Sequence, residues 1–217
     1  MTRSLRPTAK ILCAILWILV LSPVLAAQVS PSAKSSLSDK KVSQAITNWK
    51  SVNKGVVQID SAVAGEMASS IVSQTDPKNQ PTNQPVDFSK GGKTADNHVD
   101  LLVSSYISEL RDRKYEQTGS PPGSKIELRA SDIQAFSFAT YLQGLRAQDV
   151  LRDPGFLSVT SFPPGAAIKI DNGARGVTDK DFVVSKGKHS VLVKSDKLAC
   201  TDGVDVEDDP VIYKCPK

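Results

Sequence analysis

Around Asp153-Pro154-Gly155 the spacing of apolar residues changes period, and no single regular element can run through that point. Before it, apolar residues recur every three or four positions, as along one face of a helix. After it they alternate: Leu157 and Val159, then Ala166, Ile168 and Ile170, then Val191 and Val193. Asp171-Asn172-Gly173 is a strong turn signal, because asparagine and glycine tolerate positive φ. Gly176 and Gly187 punctuate the next two connections. The chain is therefore read as α+β. A helical region of about three helices spans 38–152, and a small antiparallel β-sandwich spans 156–217.

The beginning of the chain reads as an export signal. Arg3, Arg6 and Lys10 form a basic start, Ile11 to Leu21 is an unbroken apolar run, and Pro23 interrupts it ahead of Val24-Leu25-Ala26. A retained anchor is the rival reading, but a spanning helix needs about 20 apolar residues and this run is shorter. Cleavage after residue 26 leaves a small polar leader at 27–37. It also changes the charge. The full chain has 27 basic and 23 acidic residues, and loss of the signal leaves 24 against 23. A near-neutral chain without a basic run has no electrostatic footprint for nucleic acid. No later segment has the apolar length to enter a bilayer.

Helical spacing begins near Ser36 and carries through Val42, Ala45, Trp49, Val52, Val56, Ile59 and Val63, which predicts one helix to about Ser73 with Gly55 as its weak point. The stripe must be covered. Packing onto later helices of the same chain is favoured over an interchain coiled coil, since the e and g charges form no organised pairs. Residues 76–96, rich in proline, glycine and amides, read as a linker. A second helix is expected from about Asp96 to Gln117, with Val99, Leu102, Val103, Tyr106 and Leu110 on its apolar face. Glu109, Arg111, Asp112, Arg113 and Lys114 are taken as its solvated end. Lys125-Ile-Glu-Leu128 alternates like a short strand. Ser131 with Gln134 has the spacing of a capping box, and a third helix is expected from there to about Leu151.

The C-terminal residues resemble the PEGA domain, a small β-module of exported and surface proteins. Pro164-Gly165-Ala166 matches its opening step, and Ala167 to Gly173 its strand and turn. Gly176 to Asp179 matches its glycine-threonine-proline, and Gly187-Lys188-His189 with Val191 and Val193 its glycine-x-histidine strand. Pro163-Pro164 replaces the usual proline-glutamate, Asn172 is inserted in the turn, and Asp179 stands where proline is usual. The resemblance implies an extracytoplasmic structural or interaction module with no catalytic residues to carry over.

Cys13 leaves with the signal, and Cys200 and Cys215 remain. An even pair in an oxidising compartment reads as a disulfide, and closing that loop stabilises by about 3 kcal/mol in the chain-entropy model. Two free thiols or a metal site are the alternatives. Zinc would require further ligands, and His98 and His189 are the chain's two imidazoles. Strands at Val204 to Val206 and Val211 to Tyr213 are expected to pair, setting Leu198-Ala-Cys200 beside Tyr213-Lys-Cys215. Calcium at Asp202, Asp205, Glu207, Asp208 and Asp209 competes with a solvated hairpin tip, and their spacing is not that of an EF-hand loop.

No G-x-S-x-G, H-E-x-x-H or phosphate-cradling glycine loop is present. The expectation is a periplasmic or secreted, non-catalytic cell-envelope protein without cofactor, metal or catalytic residues. It would act on an envelope protein partner, with self-association through the first helix as a further possibility. A glycan binder is the alternative, resting on Phe156, Phe162, Phe182 and Tyr213. A hydrolase would need His98 brought to a serine or carboxylate.

Overall fold

The computed structural model describes residues 37–80, 95–171 and 173–215. The expected signal at 1–26, nearly all of the leader and most of the linker lie outside these. Among the described residues no helix is long and apolar enough to cross a membrane. The architecture is mixed helix and sheet: among the described residues, five α-helices and two short strands are followed by seven further strands.

The first helical stripe breaks in two. Helix α1 covers Asp39–Asn53, and its N-cap Ser38 accepts a hydrogen bond from the Lys41 amide. Strand β1 follows at Val57–Ile59, then α2 at Ser61–Thr75, capped by Asp60, which accepts from the Val63 amide at 2.8 Å. A continuous helix to Ser73 is thus overturned. Val57 and Ile59 are buried and Gln58 is exposed, a period of two that the flanking helical spacing conceals. Leu37, assigned to the leader, is buried in the helical core.

Helix α3, Ala95–Thr118, is the centre of the first half. Leu102, Val103, Tyr106 and Ile107 are almost wholly buried, and α1 packs on one side of the helix and the following sheet on another. Strand β2, Ile126–Leu128, pairs in parallel with β1. The expected third helix is also two. Helix α4 covers Ala130–Ala135 and α5 covers Phe138–Ala147. Ser137 caps α5, accepting from the Thr140 amide at 3.2 Å. Ser131 is an exposed residue inside α4, while Asp132 accepts from the Arg129 amide and from Lys114. The helix therefore starts two residues earlier than a Ser131 cap would set, with Arg129 as N-cap and Asp132 in place of Gln134.

The strands run β3 Pro154–Ser161, β4 Ala167–Ile170, β5 Gly173–Val177, β6 Lys180–Ser185, β7 Gly187–Ser195, β8 Leu198–Val206 and β9 Val211–Cys215. They form two sheets, ordered β6-β3-β9 and β5-β4-β7-β8. The four-stranded sheet is antiparallel throughout, whereas β3 and β9 run parallel. Leu157, Val159, Phe182 and Val184 of the first sheet share a core with Ile168, Ile170, Val191, Val193, Val204 and Val206 of the second. Phe156 and Val183, on the opposite face of the first sheet, join the helical core instead. That sheet is thus the shared wall between two apolar clusters.

Strands β8 and β9 are not paired, contrary to the sequence expectation; they belong to different sheets. The Cys200–Cys215 disulfide, with Cα atoms 5.8 Å apart, therefore ties one sheet to the other.

Candidate functional site

Where α3 meets the strands, three charged side chains, Arg111, Asp112 and Lys180, are drawn out of water together, with Glu109 half-buried beside them. Lys180 heads β6 and its side chain is 2% exposed. Its Nζ donates to Glu109 Oε2 at 2.8 Å and to Asp112 Oδ2 at 2.9 Å. Arg111 donates from Nε to Asp112 Oδ1 at 2.9 Å. Its two Nη atoms reach the carbonyls of Asp179 and Val177 at 3.0 and 3.1 Å. Apart from the Arg111–Asp112 bond within α3, these contacts cross from the helix to β5, β6 and the turn between them. Burial of this kind is tolerated only when each charge is paired and its remaining lone pairs or protons are met.

Arg111 and Asp112 are expected from sequence at a solvated helix end. Both are buried. Burial pushes the Glu109 carboxyl upward, but Lys180 and then Arg113 outweigh it and hold the group below the ordinary glutamate value. Gly176 is part of the same construction. A Cβ there would lie 2.1 Å from Asp112 Oδ2 and 2.9 Å from Lys180 Nζ, and its φ of +116° suits glycine.

Glu109, Asp112 and Lys180 of this cluster line a cleft of about 1030 Å³. Glu109, Asp112, Arg113 and Glu116, at helical spacing i, i+3, i+4 and i+7, line it from α3. Helix α5 supplies Gln143, and Gln148 follows just after it. The opposite wall comes from β5, β6 and β7. Arg175 Nη1 donates to Gln148 Oε1 at 2.9 Å and so bridges the two sides. The aromatic lining is not available for stacking. Tyr141 is buried and donates to Ser105 Oγ at 2.8 Å, and the Arg113 guanidinium lies 3.7 Å over the Phe136 ring.

His189 stands at one end of this cleft. Its Nε2 donates to the Ser185 carbonyl at 2.7 Å, and Nδ1 lies 2.7 Å from Asp171 Oδ2. Asp171 takes the turn after β4 at φ 50° and accepts from the Ser190 amide. Burial pushes its carboxyl upward, but the bonds from His189 and the Ser190 amide outweigh it and hold the group below the ordinary aspartate value. The pair has the look of an acid–imidazole dyad, but Nε2 faces a carbonyl where a nucleophile would have to stand. His98 is far from this arrangement in role. It stacks on Phe156 with ring centroids 4.8 Å apart, and its buried Nε2 has no hydrogen-bond partner among the described residues.

The other residues singled out from sequence do not converge. Asp202 and Asp205 lie exposed on β8, and Asp208 bonds Lys186 at 2.7 Å. No group of three or more histidine, cysteine, aspartate or glutamate side chains suited to a metal ion occurs among the described residues. Of the α1 stripe, Val42, Ala45, Ile46 and Trp49 are buried in the helical core, whereas Val52 is 83% exposed.

No family model, no curated protein and no solved structure matches this chain.

Proposed function

We propose that this is an exported, non-catalytic cell-envelope protein, in which a β-sandwich of PEGA type serves as a structural or protein-interaction module. The observation that carries the reading is the disulfide between Cys200 and Cys215, a bond suited to an oxidising compartment. The positive φ of Gly176 and Gly187, at positions the resemblance gives to glycine, supports the same reading. So does the buried ionic cluster, which fixes the module on the helical half and suits a rigid surface presented to a partner.

A glycan-binding role draws less support. Sugar platforms use exposed rings. Phe156 and Phe182 are buried, Tyr213 is half-buried, and Phe162 is the strongly exposed ring of the four.

The test is expression of the full chain in a bacterium, with cell fractionation, mass measurement and thiol titration of unfolded, unreduced protein. Export predicts loss of residues 1–26, recovery from the envelope or medium, and no free thiol. Recovery from the cytoplasm at full mass, with Cys13, Cys200 and Cys215 all titrating, would refute it.

A further inference from the structure

We propose that β9 is a self-association edge, pairing antiparallel with β9 of a second copy of this chain about a two-fold axis at Ile212. Sheet order places β9 at the end of β6-β3-β9, with β3 as its one ladder neighbour among the described residues. At the opposite edge strand, β6, the helix α3 packs against the sheet. The helical layer stops short of β9. In the row Asp181, Ser158, Ile212, the first two are bonded to each other and Asp181 also to Ser104 of α3, whereas Ile212 is 63% exposed. An uncovered apolar strand edge is a template for another strand.

The occupant follows from self-complementarity. With Ile212 opposite its own copy, Val211 faces Tyr213 and Pro210 faces Lys214 across the pair. Val211 and Tyr213 are half-buried on the core side of the sheet, and each would complete the other's cover. Antiparallel pairing also brings Lys214 of each copy toward the acidic Glu207-Asp208-Asp209 that precedes β9 of the other. Lys214 has no acidic partner within the described residues, and the Asp208 side chain is 92% exposed even while it bonds Lys186. A lysine on an edge ordinarily deters pairing. Here the antiparallel neighbour supplies its counter-charge, because the strand is acidic before its start and basic near its end. The four-stranded sheet's edge at β8 lacks this match: paired antiparallel with Asp202 opposite Asp205 of a second copy, it would set like charges against each other.

The experiment is sedimentation across a concentration series, with oxidative cross-linking of Ile212→Cys. The expected result is a concentration-dependent dimer, an intermolecular cross-link through residue 212, and little cross-link from Asp202→Cys on β8. The unaltered chain under the same oxidant reports any contribution from Cys13. Ile212→Lys, at a site exposed enough to leave folding intact, should weaken dimerisation by about tenfold or more. A chain monomeric at every attainable concentration would overturn the proposal. So would a dimer indifferent to Ile212→Lys, or equal cross-linking from residues 202 and 212.

Discussion

Replacing Lys180 with methionine removes the cation on which the helix–sheet junction depends while keeping most of its apolar stem. Two carboxylates lose a partner. Asp112 keeps its bond from Arg111 and a longer one from the Val177 amide, so its loss is partial. Glu109 keeps Arg113 at 3.2 Å and is 30% exposed, so water can repair some of the damage. Breaking a buried pair from one side costs about 3–5 kcal/mol, and these two reliefs put Lys180→Met near the lower figure. For a chain of this size about 3 kcal/mol corresponds to a fall in Tm of about 6–12 °C. Urea unfolding followed by circular dichroism measures it. Lys180→Met with Asp112→Leu should cost less than the sum of the two single changes, because the second removes a carboxylate the first had stranded. A single-variant loss below about 1 kcal/mol, the range of exposed ion pairs, would refute the claim that this cluster is dry and welds the two halves.

Gly176→Ala should destabilise by about 2 kcal/mol or more, since the new methyl meets the Asp112 carboxylate in a backbone conformation L-residues avoid; thermal melts read this directly. Reducing the disulfide, or replacing both Cys200 and Cys215 with serine, should cost about 3 kcal/mol for its 15-residue separation, with the reduced chain and the double variant agreeing in urea titrations. Glu109 and Asp171 both titrate below their ordinary values in the folded chain. Their contribution is therefore complete above the usual carboxylate values of 4.5 and 3.8 and is lost as pH falls through the lower folded values. His189→Gln should reduce the part of the acid-side slope due to Asp171 and leave stability near neutral pH with a weaker dependence on that turn, as shown by melts at stepped pH.

Sequence alone placed the break at Asp153 and the alternating residues beyond it. Leu157, Val159, Ile168, Ile170, Val191 and Val193 are all buried, because in a strand every second side chain faces one way whatever the partner. It also picked the cysteines that bond, since few cysteines leave few pairings. It failed where two periods coincide. Val56, Ile59 and Val63 fit a helical stripe, yet Val57 and Ile59 form a strand with β2 about seventy positions on, and local spacing carries no record of a distant partner. The pairing of β9 with β3 rather than β8 was hidden for the same reason.

The helix–sheet junction is the clearest case of what only the tertiary structure decided. Glu109, Arg111, Asp112, Arg113 and Lys114 read as a solvated helix end because charged residues ordinarily stay in water. Burial of Arg111 and Asp112 becomes affordable only when Lys180 and the Val177 and Asp179 carbonyls arrive from the sheet, some seventy residues away. Hydrophobic rhythm is a property of neighbours along the chain, so it marks most of the segments that curl or extend but not one, like β1, whose spacing also fits its flanking helices. The partners of a buried charge are neighbours only in space, and the fold alone chose them.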